Sequence, residues 1–416
     1  MRTAIKKIFN LLPVNVRRII LRSYEKKYAG KNISFKKELE KDGNTGVKNI
    51  LFYHVSGLSF GGTEKFLQII AKHINPKKYR VFFMYSPQAR SSSSSNWAGR
   101  KKYLENIGIT FVPFSYDSMS KKYPYEVKNM RPSFAEIIEK EKIDLVVTAG
   151  SGYSEYPFNQ ISSPPIILIN IFGSPNTQPN IVNNICISHA VAEKIRPIVP
   201  EAKISIMYIL SEGPDSDAIT RGKNIRTQYG IKETDTVFGR IGRADNAIFD
   251  EIGIRAFQKI IKTDSSAHYF IMSPPPVLIE IVEKENIPNV HFLAQSSDEK
   301  DIWAFHASLD ALAHFRKDGE SCGLNIAESM LSGKPVISHR SAQWNAHAEY
   351  LEPEFSRIAE INNADQYADY LREFIALKKT GQLENMGKSA KAKAERIFLV
   401  TNNIARIETW IDSALK

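Results

Sequence analysis

The chain has 416 residues, 43% hydrophobic and 24% charged, an ordinary balance for a globular protein long enough for two domains. No apolar run reaches the roughly 20 residues a membrane-spanning helix needs, and the opening MRTAIKKIFNLLPVNVRR lacks the apolar core and small-residue cleavage site of a secretory leader. The net charge of +11 is concentrated in residues 1–48, which hold thirteen Lys/Arg against four Asp/Glu, so the nearly neutral remainder is not expected to bind nucleic acid.

Residues 1–45 read as a basic amphipathic arm. Ile5, Ile8, Phe9 and Leu12 share one helical face, and Val16, Ile20 and Tyr24 continue it past Pro13. Lys6, Lys7, Arg17, Arg18, Arg22, Lys26 and Lys27 surround the stripe. Two readings stay open: residues 1–28 lie on an anionic membrane surface, or the helix packs on its own domain with the basic face in water.

From Val47 onward, strands alternate with helices. The order is strand, glycine turn and helix in VKNILFYHVSGLSFGGTEKFLQIIAKHI, then strands at YRVFFMYS, GITFVPF, DLVVTAG, PPIILINIF and NNICIS, with SFAEIIEKEK and AVAEKI as helices. A second series opens at DTVFGRIGRAD and continues through EIGIRAFQKIIK, HYFIMS, PPVLIEIVEKEN, NVHFLAQ, DEKDIWAFHAS, LDALAHF and KPVISH. Alternation of this kind implies parallel sheets covered on both faces. The expected domains are 46–205, completed by a final helix at 397–416, and 206–396, joined near SEGPDSD and TRGKN within about 206–225. Two such domains place a cleft at the carboxyl ends of their strands. Cys186 and Cys322 stand far apart with no metal-ligand spacing, which fits a reduced, cytoplasmic setting.

The stretch DGESCGLNIAESMLSGKPV, residues 318–336, carries the most chemistry. Glu320 or Ser321 is expected to cap a helix starting near Gly323, and Glu328 projects from its second turn. Free amides at a helix start favour anions, so two carboxylates flanking them suit a polar ligand that carries both negative charge and hydroxyls. The simpler alternative is a capped surface helix with one incidental glutamate.

These residues resemble the signature of retaining GT-B glycosyltransferases of family 4, the glycosyl transferases group 1. The match is Glu320-x7-Glu328 with Gly323, Gly333, Pro335 and Val336; Cys322 departs from the family's usual Phe. LSFGGTEKFL resembles the GG-x-E turn of the amino-terminal domain at Gly61 and Gly62. The resemblance runs from about 235 to 350, is patchy from 48 to 210, and omits the arm. It implies a GT-B fold: two Rossmann-like domains facing a deep cleft. It implies transfer of a sugar from a nucleoside diphosphate sugar to an acceptor hydroxyl, without metal or other cofactor. Glu320 would contact the donor sugar, Glu328 the ribose hydroxyls, the backbone at Gly323 and Leu324 the diphosphate, and Leu293 the base. Arg240 and Arg243 would supply cations to the leaving group, and His54 would line the acceptor side. Expected partners are the nucleotide sugar and a glycan or glycolipid acceptor, at the cytoplasmic face of the envelope.

Three departures temper the match. The family's lysine, five positions beyond the arginine, falls on Ile248 when counted from Arg243. SPPP at 273–276 removes N–H donors where a glycine-rich loop is usual, and INIFGSPNT replaces a histidine-containing turn. Rival readings are a nucleotide-sugar epimerase of similar fold, a catalytically weakened module that binds sugar nucleotide or an envelope partner, and a nucleic-acid binder working through the arm.

Overall fold

The structure, a computed structural model, describes residues 46–59, 61–87, 97–121, 126–154, 156–296 and 298–416; the basic arm and the expectations placed on it lie outside these. Residues 48–416 form one compact unit built on two wholly parallel sheets. In the first, strands β1 (Lys48–Tyr53), β2 (Tyr79–Tyr85), β3 (Thr110–Pro113), β4 (Leu145–Gly150), β5 (Ile166–Asn170), β6 (Ile181–Cys186) and β7 (Ile204–Ile206) lie in the order β3-β2-β1-β4-β5-β6-β7. In the second, β8 (Thr236–Ile241), β9 (Ala267–Met272), β10 (Val290–Leu293), β11 (Ala311–Ala313), β12 (Val336–His339) and β13 (Ser356–Ala359) lie in the order β10-β9-β8-β11-β12-β13. Each is a doubly wound sheet whose strand order reverses beside its first strand. The central strands are apolar on both faces because helices cover both: every residue of β4, β5 and β8 is buried.

Four helices position the site: α1 (Gly62–His73) and α2 (His189–Ile195) in the first lobe, α3 (Glu299–Ser308) and α4 (Leu324–Leu331) in the second. The chain crosses between lobes twice. After β7 it passes Ser211, and it returns at Leu399, which bridges to Ser211; Ser211 N–H donates to the Phe398 carbonyl at 2.8 Å and Val400 N–H to the Ser211 carbonyl at 2.9 Å. The last helix, α5 (Val400–Ala414), sends Val400, Ile407 and Ile411 into the core of the first lobe. That core also takes in Cys322 and Trp344 from the second lobe, so the lobes share apolar surface.

Candidate active site

The carboxyl end of β8 carries Arg240, only 1% exposed. Its Nε and Nη1 are buried with no hydrogen-bond partner among the described residues, and its guanidinium lies 5.1 Å from the centre of the Phe315 ring. Burial pulls its pKa down from 12.5 to about 10, with Arg316 pushing the same way and Glu320 against it. An unsatisfied buried cation is costly, and it sits at a switch-point strand end where open parallel sheets take ligands. The start of α4 is tied to this strand end, because Asn325 Nδ2 donates to the Ile241 carbonyl at 2.9 Å.

Glu320 lies on the loop after β11. Gly319–Glu320 pairs in parallel with Trp344–Asn345 on the loop after β12, and the Ser341 hydroxyl donates to the Trp344 carbonyl at 2.9 Å. His339, at the end of β12, accepts the Arg316 N–H at Nε2 (3.1 Å) and holds the Arg340 carbonyl at Nδ1 (2.8 Å). This stapling fixes where Glu320 points. Its Oε1 lies 3.0 Å from His314 Nε2 and 3.8 Å from Arg316 Nη1. Burial works against ionisation, but His314, Arg316 and His347 outweigh it and hold the carboxyl below its ordinary value. His347, 1% exposed, is driven by burial and the nearby His314 down to about 4, with Glu320 opposing.

Helix α4 corrects one expectation. Neither Glu320 nor Ser321 caps it; the cap position is Gly323, at φ +92, with no side-chain capping bond. A Cβ there would sit 2.7 Å from the Tyr350 hydroxyl, which donates to the Cys322 carbonyl at 2.5 Å. With no side-chain cap, the Leu324 and Asn325 amides remain available to a ligand, while the Ile326 amide donates to the Gly323 carbonyl at 3.1 Å. Glu328, one turn along, is 2% exposed and faces the other lobe. Its Oε1 lies 2.5 Å from Lys65 Nζ on α1, and its Oε2 3.7 Å from His306 Nε2.

Across the divide stand the residues that follow β1. His54 is buried, accepts the Ser56 N–H at Nδ1 (3.2 Å), and lies 3.8 Å from Glu64 Oε1. Burial lowers its pKa, with Glu64 opposing. Gly61 caps α1, and a Cβ there would meet only the mobile end of Glu64, at 2.3 Å from its Oε2. A Cβ at Gly62 would lie 3.7 Å from Leu324 Cδ2, so the glycine turn and the start of α4 lie close together. The lobes are pinned again at Glu349, whose carboxylate accepts the His189 and Ala190 amides at 2.9 and 2.7 Å and the Tyr208 hydroxyl at 3.0 Å. Lys194 Nζ lies 3.4 Å above the Trp344 ring.

The structure thus gathers Glu320, Gly323, Leu324, Glu328, Arg240, Gly61, Gly62 and His54 around the meeting of the two lobes. Two other candidates stand apart. Arg243 is exposed on the loop past β8, and Leu293 is buried at the end of β10, its carbonyl accepting the Ser273 N–H at 3.2 Å. Ile248 is buried in the single turn Asn246–Ile248, a core position rather than a cleft one. The glycine-arginine-apolar spelling at the end of β8 is Gly239-Arg240-Ile241, and five positions beyond Arg240 stands Asp245, an acid that caps this turn through the Ala247 amide at 2.9 Å. Arg316 is held by both oxygens of Asp318, at 2.5 and 2.8 Å, and Arg255 by Glu251 and Glu285. The prolines of 273–276 open a helix, with Pro275 at the cap and Pro276 as its first residue. Sequence reasoning missed Lys65, Glu299, His306, His314 and Glu349, whose partners are brought close only by folding.

Residues 222–393 match the family model described as glycosyl transferases group 1. No curated protein matches the chain. Among solved structures, a glycosyltransferase from Rickettsia africae is similar with a TM-score of 0.70 at 15% identity, over 89% of this chain and 99% of that one. Anabaena HepE, in complex with UDP and glucose, is similar with a TM-score of 0.65 at 19% identity, over 88% of this chain and 100% of that one. WaaG, a glycosyltransferase involved in lipopolysaccharide biosynthesis, is similar with a TM-score of 0.60 at 13% identity, over 87% of this chain and 99% of that one. The chain has the GT-B fold of glycosyltransferases, and its residues 222–393 are similar to the glycosyl transferases group 1 family.

Proposed function

We propose that this protein is a retaining, metal-independent glycosyltransferase that moves a hexosyl group from a nucleoside diphosphate sugar to a hydroxyl of a glycan or glycolipid. The observation that carries the reading is Arg240, a buried guanidinium with two unpartnered nitrogens beside the open amides at the start of α4. That pairing suits a diphosphate, which brings charge to satisfy the cation and oxygens to meet the amides. Glu320, oriented by His314, holds the donor sugar. Glu328 receives the ribose diol, Leu293 borders the base, and Arg243 adds long-range positive potential at the rim. The Gly61-Gly62 turn lets backbone approach the donor phosphates or the acceptor, and His54 faces the acceptor. In the transfer, the bond from the anomeric carbon to the diphosphate oxygen breaks and the acceptor oxygen bonds to the same face. The acceptor proton passes to the departing diphosphate. Arg240 and the α4 amides stabilise the charge that develops there, and positioning supplies much of the remaining rate.

The lobes 46–205 with 397–416 and 206–396 would serve acceptor and donor respectively. A place in envelope polysaccharide or glycolipid synthesis, peripheral on the cytoplasmic membrane, is supported by the basic composition of residues 1–28 and by the lipopolysaccharide glycosyltransferase among the similar folds. No helix among the described residues is long and apolar enough to cross a membrane.

One observation favours a second reading, a weakened module that binds sugar nucleotide. Asp245 stands where a second phosphate-binding cation is expected, and Arg316 is engaged by Asp318. The test is hydrolysis and transfer with UDP-, GDP- and ADP-sugars by wild type and Glu320→Ala. Turnover that falls by about 10²-fold in the variant, with nucleotide binding kept, supports the enzyme. Binding without turnover in wild type supports the module, and absence of both overturns the donor site.

A further inference from the structure

Glu328, the carboxylate assigned above to the ribose diol, is already occupied by a residue of the opposite lobe. Lys65 is 6% exposed, and its Nζ lies 2.5 Å from Glu328 Oε1 and 2.9 Å from Glu299 Oε2 at the start of α3. Arg100 extends the cluster, with Nη1 3.8 Å from the second oxygen of Glu299. Burial opposes the charge on Lys65, but Glu328 and then Glu299 overcome it and raise its pKa. The second oxygen of Glu328 faces the buried ring of His306 at 3.7 Å, and the residue is 2% exposed. Leu324, at the head of α4, lies close to Gly62, where an added Cβ would come 3.7 Å from its Cδ2.

A ribose whose two hydroxyls both donate to Glu328 needs the oxygen that Lys65 holds. The geometry points to Lys65 as a further determinant of donor binding, a lobe-bridging cation that competes with the ribose diol for Glu328 and must leave it before the nucleotide seats. The inference rests on the donor-site reading given above. It makes nucleotide entry and release of the Lys65–Glu328 contact a single event, and Glu299 the carboxylate that keeps Lys65 close by when it lets go. An account of Lys65 as a purely structural cation makes the opposite prediction for its removal, since loss of one partner of a buried pair leaves the other charge uncompensated and weakens whatever depends on it.

The test is calorimetric titration of wild type and Lys65→Met with UDP, GDP and ADP and with their 2′,3′-dideoxy analogues. For the diphosphate that binds best, Lys65→Met should bind about tenfold tighter, as for a latch that leaves one molecule in ten competent. The gain should vanish for the dideoxy analogue, which has no diol to compete. Lys65→Gln, which loses the charge but keeps a neutral donor towards Glu328, should show the same pattern with a gain of about threefold and keeps the question open to answer if Lys65→Met does not fold. Unchanged or weaker binding by variants that fold, or an equal gain with and without the diol, overturns the competition while leaving the donor site in place. Failure of wild type and variants alike to bind any of the nucleotides overturns the donor site and this inference together.

Discussion

Replacing Arg240 with methionine should stabilise the fold and weaken nucleotide binding by about tenfold or more. Its pKa falls from 12.5 to about 10 on burial, which at 1.36 kcal/mol per pH unit disfavours the charged form by about 3 kcal/mol. Because pH 7 lies below both values, the whole of that penalty is present under working conditions. Methionine keeps the length and apolar stem but forfeits the cation–π contact with Phe315, about 1 kcal/mol. The net expectation is a gain of about 1–2 kcal/mol in urea denaturation, with an unchanged slope. Such an exchange of stability for function is expected where a charge is kept for a ligand. The same variant, titrated with UDP, GDP and ADP, should lose at least about 1.5 kcal/mol of affinity, the lower end for a charge-assisted contact. A variant that is destabilised by more than about 1 kcal/mol and still binds the nucleotide would refute the reasoning.

Gly323→Ala should cost about 1–2 kcal/mol from its left-handed backbone, and more as the new Cβ crowds the Tyr350 hydroxyl; denaturation and nucleotide titration should both fall, and a neutral result would show that the start of α4 is not as tightly built as described. Glu349→Ala removes the acceptor of two amides and a tyrosine hydroxyl between lobes, so amide exchange at His189 and Ala190 should quicken with a stability loss of about 2 kcal/mol; unchanged protection would mean the lobes do not depend on it. Burial opposes ionisation of Glu328, but Lys65 and His306 pull its pKa from 4.5 to about 2. A carboxyl lowered on folding contributes stability that is present above its unfolded value and lost as pH falls from about 4.5 towards 2. Denaturation across that window should show a steeper acid limb in wild type than in Glu328→Gln, and identical limbs would refute the pairing.

The sheets were legible because fully buried parallel strands write themselves as unbroken apolar runs, as in ILFY, LVVTAG and IILIN. The two-glutamate spacing was legible because Glu320 and Glu328 flank a single helix start. What failed was local: a serine and a glutamate before a helix read as caps, yet Gly323 turns left-handed and leaves both side chains out. Counting from Arg243 also led to Ile248, because two arginines three apart offer two registers and only the burial of the strand end separates them. Lys65 and Glu328 stand 263 positions apart, and no periodicity joins them. His314 is separated from Glu320 by a loop whose course depends on the pairing of Gly319–Glu320 with Trp344–Asn345. Contacts between lobes are products of tertiary folding, and a single sequence carries no local trace of them.

A structure of the protein bound to a nucleoside diphosphate addresses the donor site most directly. The diphosphate should lie within hydrogen-bond distance of the Leu324 amide and the Arg240 guanidinium, with the ribose diol on Glu328 and Lys65 withdrawn. A nucleotide bound elsewhere, with Arg240 still unpartnered and Lys65 still on Glu328, would show that the glycosyltransferase chemistry has been assigned to the wrong residues.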